Sequence, residues 1–318
     1  MSWRRLMLLV PLLAGPALAP PTAAQPFPDH PVQVINPYGA GSTTDLLTRA
    51  LATAMQPRLG QPVVVVNRDG AAGGLGTSVA ARVAADGYTL LFAPAVVFSV
   101  LPVVRPDIGY RAESFMPVCQ AFENTMVLAV RTDSPLHSLA DLVAAARARP
   151  GALTYGHQGV ASVPHLAAVA FQQAAGVEFQ DVPYRSEPNV VLEVQAGRVD
   201  FAALVAGSIN NQPLRALAVF SPRRHHLLPE APTAQEQGYD LSPASFGGLY
   251  APAGTPAPVV ARLAEACAAA AADPGYAEAA RRSFQPEAYH LGPVAFAARM
   301  QAEIAEKARL LAGLRLER

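Results

Sequence analysis

Cysteine is scarce in this chain. The 318 residues hold two, Cys119 and Cys267, too few for the disulfide framework that staples small secreted domains. An oxidising compartment would let them pair, but Cys267 lies in the alanine-rich helical stretch Ala264–Ala272, where a buried free thiol is the ordinary outcome. Net charge is missing as well: 24 basic and 24 acidic residues cancel, so nothing electrostatic calls for nucleic acid or an anionic membrane surface. The apolar run Leu6–Leu13, broken by Pro11 and followed by Pro16, falls short of the roughly 20 residues a bilayer span takes. There is no internal repeat and no stretch of disorder-type composition after the N-terminal segment. The 30 prolines mark loop boundaries rather than a low-complexity tract. Catalytic signatures are lacking too: no G-x-S-x-G elbow, no H-E-x-x-H pair, no cysteine beside a histidine in a recognised pattern. An exported hydrolase is accordingly the least favoured function class, and no cofactor is called for.

What is present begins with an export signal. Arg4 and Arg5 precede the apolar run, and small residues follow through Ala24, the arrangement of a cleavable secretory leader. Cleavage is expected after Ala24, because Thr22-Ala23-Ala24 leaves Gln25 as first residue whereas Ala17-Leu18-Ala19 would leave Pro20. No cysteine sits near that point to carry a lipid, and the residues around the Arg-Arg pair match the twin-arginine pattern poorly. A soluble periplasmic protein is expected, in a compartment where NAD and ATP are not normally supplied. The roughly 290 residues beyond the leader exceed the usual single-domain size, so two domains are the default.

Two strand-to-helix turns carry the functional signal. The first follows the apolar run Val32–Asn36 and reads Pro37-Tyr38-Gly39-Ala40-Gly41-Ser42-Thr43-Thr44-Asp45. The second follows Val63–Asn67 and reads Arg68-Asp69-Gly70-Ala71-Ala72-Gly73-Gly74-Leu75-Gly76. Glycines let the backbone approach a ligand, and a following helix aims unpaired N–H groups and its positive dipole end at it. Thr44 and Val79 stand where a dinucleotide fingerprint needs its third glycine, and no lysine follows as in a phosphate loop. With only Arg68 as a cation, an anion would be held by backbone donors and hydroxyls. Two ordinary βα turns remain the alternative. Ser42 and Asp45 also form a capping-box pattern, with Asp45 reaching back to Ser42.

Further on, strands are expected at Thr89–Ala93, Met126–Val130, Leu153–Tyr155, Val199–Leu204 and Leu214–Phe220. Helices are expected at Thr44–Met55, Leu75–Ala84, Leu139–Arg147, Pro164–Ala175, Asn189–Gln195, Pro256–Ala272 and Pro293–Leu314. This alternation predicts an α/β fold with largely parallel sheets and ligand sites at the carboxyl ends of strands.

The chain resembles the substrate-binding proteins of tripartite tricarboxylate transporters, the TctC or Bug family. The resemblance runs in order through Phe27-Pro28-Asp29-His30-Pro31-Val32, the Pro37–Asp45 turn and Leu59-Gly60-Gln61-Pro62-Val63-Val64-Val65-Val66-Asn67-Arg68. It continues with Ala85-Asp86-Gly87-Tyr88-Thr89, Val182-Pro183-Tyr184, Gly197-Arg198-Val199-Asp200 and Leu214-Arg215-Ala216-Leu217-Ala218-Val219. It ends with Leu228-Pro229-Glu230-Ala231-Pro232-Thr233 and Tyr250-Ala251-Pro252-Ala253-Gly254-Thr255-Pro256.

That resemblance implies a two-domain Venus-flytrap protein. Domain one would comprise residues 25–120 and 221–318 after the signal peptide 1–24, and domain two residues 121–220. It also implies that Tyr38, Gly39, Ala40, Gly41, Ser42, Thr43, Thr44 and Asp45 form a carboxylate pincer with Ala71, Ala72, Gly73 and Gly74. Pro94 and Ala95 would make a neighbouring wall. From domain two, His157, Gln158, Ser162 and Tyr184 would face the cleft, along with the turn through Arg185 and Glu187.

The sequence departs from the family there. His157 and Gln158 stand where small residues are common, Arg185-Ser186 replaces a frequent Lys-Gly, and Leu204-Val205 lacks polar residues. The departures bear on the ligand rather than on membership. Other readings stand beside these: Tyr38 packing under its turn, His157 on the surface, His165 packing in a helix, Arg185 offsetting Glu187. Arg223-Arg224-His225-His226 reads as a solvated loop or a contact with a membrane partner. Metal binding is not expected, since no second ligand lies at helical or turn spacing from His157. The expected function is capture of a small carboxylate by a monomeric protein for membrane transporter subunits. Presenting the ligand to a sensor kinase is the alternative.

Overall fold

The computed structural model describes residues 27–184, 186–285 and 290–312. The expected leader and Arg185 lie outside the described residues.

Among the described residues, nine strands and ten α-helices follow one another along the chain. In order they are β1 (Val32–Asn36), α1 (Thr43–Leu59), β2 (Val63–Asn67), α2 (Gly74–Ala80), β3 (Thr89–Pro94), α3 (Val96–Ser99), α4 (Leu101–Val104) and β4 (Phe115–Arg131). Then come α5 (Leu139–Ala148), β5 (Thr154–His157), α6 (Val163–Ala175), β6 (Gln180–Pro183), α7 (Glu187–Gln195), β7 (Phe201–Val205) and β8 (Leu214–Phe220). The chain closes with β9 (Ala244–Pro252), α8 (Ala257–Ala271), α9 (Pro274–Arg282) and α10 (Pro293–Ala312).

The strands form one path, β2-β1-β3-β9-β4-β7-β5-β6, with β8 also on β4. It falls into two halves because β4 changes partners midway. Phe115–Thr125 pairs with β9, and Met126–Arg131 pairs with β7 on one side and β8 on the other. The expectation of largely parallel sheets holds for the outer strands, β1 with β2 and β3, and β5 with β6 and β7. All pairings of β4, β8 and β9 are antiparallel. Those strands carry the chain between the halves, and a strand that enters one half must return from the other.

Each half buries apolar residues on both sheet faces, as a sheet covered by helices requires. In the first half, Leu47, Leu51 and Met55 of α1 pack with Leu263 and Cys267 of α8 on one face. Phe98 of α3 and Phe296 and Met300 of α10 cover the other. The second half packs α5 and α6 on one face, through Leu142 and Phe171, and α7 on the other, through Val190 and Val194. The end of α10 then crosses between the halves, with Leu310 and Leu311 against Val100, Leu166 and Val169. The chain's single lysine, Lys307, is buried on that helix 3.5 Å from Glu303.

The two cysteines correct one expectation. Cys119 and Cys267 are disulfide-bonded, with Cα atoms 6.5 Å apart and a sequence separation of 148. Both are fully buried. The helical position of Cys267 faces the sheet that carries Cys119, a proximity that sequence separation conceals.

Candidate functional site

The parallel strands of the two halves run in opposite senses, because β3 and β4 each pair antiparallel with β9 and β7 pairs antiparallel with β4, and their C-terminal turns meet around a cavity of about 380 Å³. Such a crevice at strand carboxyl ends is where open α/β sheets bind ligands.

The first turn is built around Asp45. Ser42 caps α1, its Oγ accepting the Asp45 N–H at 3.2 Å. The Asp45 carboxylate is buried and accepts from the Gly41 N–H at 2.9 Å, Arg49 Nε at 3.0 Å and Asn67 Nδ2 at 2.8 Å. It therefore reaches back to Gly41, one residue beyond the expected capping box, because Gly41 at φ +82° turns its N–H inward. Burial by itself would raise the Asp45 carboxyl. The Arg49 guanidinium, the Gly41 N–H and the Asn67 amide outweigh that and hold it below the usual carboxylate range. Asp45 is thus spent on shaping the turn and is not presented to a ligand. Asn67 Nδ2 also donates to the Tyr38 carbonyl at 2.9 Å, fastening the turn to β2. The N–H groups of Thr43 and Thr44, in the first turn of α1, lack an intrahelical partner as every helix start does.

The second turn is a single 3-10 turn, Ala71–Gly73, ahead of α2. Ala71 and Ala72 take φ of 50° and 54°, and across the cavity Ala161 takes 62°. Alanine seldom occupies this left-handed region, and strain of this kind gathers at functional sites. The Tyr38 hydroxyl donates to the Ala72 carbonyl at 3.4 Å, joining the two turns. Desolvation pushes the Tyr38 phenol well up, so it remains a neutral donor.

From the second half, β5 runs into Gln158, Gly159, Val160 and Ala161, then Ser162, which caps α6 by accepting the His165 N–H at 3.3 Å. Gln158 Nε2 donates to Glu187 at 3.0 Å, and the other Glu187 oxygen accepts the Val205 N–H at 2.8 Å. Burial raises the Glu187 carboxyl, with the bonds to Val205, Ser208 and Gln158 opposing.

The cavity gathers Tyr38, Ala72, Pro94, Gln158 and Ser162 from the expected site residues. Gly39, Ala40, Gly41 and Thr43 stand exposed on the first turn, Ser42 and Thr44 are half-buried beside them, and Ala71 is exposed on the second. Gly73, Gly74 and Ala95 are buried behind the surface. Tyr184 lies elsewhere: its ring packs by Gly156 and Val190. His157 is neither in the cleft nor on the surface. It is fully buried, with Nε2 3.1 Å from Asp181 and its ring stacked on His165 at 4.3 Å. The Ala161 N–H donates to His165 Nδ1 at 3.0 Å. Burial, with His157 acting the same way and Asp181 opposing, lowers His165 to about 4.

His157, His165 and Asp181 are a possible ligand cluster within 4.8 Å, one that local spacing does not reveal because it draws on β5, α6 and β6. The rings stack 19° from parallel, His157 Nε2 already meets Asp181 at 3.1 Å, and His165 Nδ1 is taken by the Ala161 N–H. The arrangement suits packing better than chelation. The Arg223–His226 loop is likewise more tied down than a solvated loop would be, since Arg224 pairs with Glu236 and His225 is buried.

The sequence reading missed the apolar wall. Val96, Val100, Leu101 and Val104 come from α3 and α4, and Met126 and Ser245 from the strands joining the halves. Their helices are one turn long and offer no periodicity to detect.

Two α/β halves joined by shared strands, with strand-end turns from both lining one cavity, define a protein of the two-lobe periplasmic-binding-protein class. Comparison with known proteins narrows this. The chain belongs to the TctC family, described as tripartite tricarboxylate transporter family receptors, whose profile matches residues 47–312. Protein BugT of Bordetella pertussis is 34% identical over 277 residues, covering 83% of each chain. A TctC solute-binding protein from Polaromonas, solved without ligand, superposes with a TM-score of 0.82 at 27% identity, covering 91% of this chain and 100% of the other. The Rhodopseudomonas palustris protein Rpa4515, solved with adipate, has a TM-score of 0.72 at 30% identity, covering 89% and 97%. The family is one of solute-binding receptors rather than enzymes.

Proposed function

We propose that this chain is a periplasmic receptor that captures a small carboxylate between its two lobes and delivers it to the membrane subunits of a tripartite transporter. The observation that carries the reading is the meeting of Tyr38 and Ala72 from one half with Gln158 and Ser162 from the other around one cavity. Tyr38 belongs to the turn that opens α1, where the Thr43 and Thr44 N–H groups lack an intrahelical partner, the means by which a cation-poor site holds an anion; the second turn holds its Gly73, Gly74 and Leu75 N–H groups internally. Adipate in a relative 30% identical supports the same ligand chemistry. We place export at a leader cut after Ala24 and treat the mature protein as a monomer.

The lobes follow the pairing of β4, which changes halves between Thr125 and Met126. We place the end of the second lobe at the approach to β9, beyond residue 220, since Ala231 and Ala234 pack with its core residues. A thermal-shift screen of small carboxylic acids against the matching amides tests the reading. An acid at 100 times its Kd stabilises by about 2.7 kcal/mol, and its amide should not. A screen in which no acid raises Tm, or in which amides do as well, removes the proposal.

A further inference from the structure

We infer that the ligand is a monocarboxylate with an apolar body, and that the wall formed by the second lobe selects against di- and tricarboxylates. This rests on the carboxylate reading above and adds which acids the site takes.

The cavity is asymmetric in chemistry. Its polar end is the pair of strand-end turns that Tyr38 and Ala72 join. Away from them, Val96, Val100 and Leu101 on one side face Val160, Val163 and Val205 on the other. Among the described residues lining the cavity, none is charged. The chain's one lysine is of no use there, buried on α10 and paired with Glu303.

The polar groups of the far wall are few and neutral, and they stand beside an acid. Gln158 has one N–H committed to Glu187, which leaves its second N–H as a neutral donor and its carbonyl oxygen as an acceptor. Ser162 Oγ already accepts from the His165 N–H and keeps one hydroxyl hydrogen to offer. Behind them stands Glu187, a buried carboxyl whose two oxygens hold Gln158 and the Val205 N–H, both on cavity-lining residues. A distal carboxylate would enter beside that acid with only neutral donors and, among the described lining residues, no cation, and bringing two like charges together in a site of low polarity is disfavoured. An alkyl or aryl group there meets mainly valine, leucine and methionine side chains and gains from leaving water, by about fourfold in affinity per methylene.

Calorimetry on the mature protein at pH 7.4 tests this with matched pairs: hexanoate against adipate, and phenylacetate against 1,4-phenylenediacetate. Each monoacid should bind at least tenfold more tightly than its diacid, and affinity should rise about fourfold per methylene from butanoate to hexanoate. Gln158→Arg should reverse the order by placing a cation on the far wall. A diacid binding as tightly as its monoacid in the wild type overturns the inference while leaving the carboxylate reading intact. The same holds if adipate binding is strong and vanishes in Arg185→Ala, which would place a second cation at the cleft. Hexanamide binding like hexanoate, or no heat with any acid, overturns the carboxylate reading itself and this inference with it.

Discussion

The tip of the Tyr38 ring occupies the space that a side chain on Gly73 would need. A Cβ built on Gly73 would stand 3.0 Å from Tyr38 Cζ and from its hydroxyl oxygen, and 3.2 Å from Val97. Gly73 also sits at φ +92°, where an L side chain is strained. The two strand-end turns therefore interlock through a ring from one and a missing side chain in the other. Gly73→Ala should cost about 1–3 kcal/mol of stability and weaken acid binding by displacing Tyr38. Tyr38→Phe, which gives up a long 3.4 Å bond, should cost about 1 kcal/mol or less. Urea unfolding and calorimetry of both variants check this, and a wild-type midpoint for Gly73→Ala would show that Tyr38 moves freely.

Asp45 is the fixed point of the first turn, so its removal should be felt beyond α1. Asp45→Ala removes the shared acceptor of the Gly41 N–H, Asn67 Nδ2 and Arg49 Nε and should cost about 1–3 kcal/mol. Ser42→Ala removes one cap bond, about 1 kcal/mol. Gly41→Val should exceed Ser42→Ala in loss of both stability and affinity. Its cause is the φ of +82° and not crowding, since a Cβ there meets nothing within 4 Å. Equal losses for Gly41→Val and Ser42→Ala would refute this ordering.

Acid should loosen the second half. His165 titrates near 4 when folded because it is buried, against about 6.5 when unfolded. Between those values the unfolded chain holds the extra proton, so stability rises with pH across the window and is lost on going down from 6.5 to 4. The slope is at most about 1.4 kcal/mol per pH unit for this group. His225, also buried and lowered to about 4, acts in the same direction. Denaturant midpoints measured from pH 7 to pH 4 should fall, and His165→Gln should flatten part of that dependence. An unchanged slope in the variant would mean that other groups carry it.

Replacing both cysteines should lower stability by about 2–5 kcal/mol, the range for long loops. Both sulfurs are fully buried, so mild reductant should leave the native protein oxidised while Cys119→Ala with Cys267→Ala shows the loss. Chemical unfolding of the double variant checks it; a midpoint equal to that of the wild type would contradict the estimate.

Much of the fold is legible in the sequence where one pattern dominates locally. Val32–Asn36, Val63–Asn67 and Leu214–Phe220 are short apolar runs between turn residues, and their bounds coincide with β1, β2 and β8. Helix α1 announces itself with the Ser42 cap, though it continues through Pro57 to Leu59 where Met55 was the expected end. The strand β9 does not read as one, because Gly247 and Gly248 interrupt any alternation. Only the Met126–Val130 portion of β4 is apparent. Its first part carries Pro117, Gln120, Glu123 and Asn124, and stays paired with β9 through two register shifts. At the cavity, the turns were visible because glycine marks them. The valine wall was not, because lone valines on one-turn helices look the same whether they face a core or a ligand. Nor could spacing show that His157 turns inward, a direction set by its pairing with Asp181 on β6.

The bond between Cys119 and Cys267 encloses the whole of the second half in one covalent ring. On a chain delivered N-terminus first, everything from Met126 to Ala244 emerges before the ring can be sealed. The second half is a contiguous segment and can assemble as soon as it is out. The first half must wait, with β3 and the start of β4 lacking β9 between them, until the last third of the chain arrives. The order of assembly thus departs from the order of synthesis: the middle of the protein can be finished first, and the part that begins the chain is completed last.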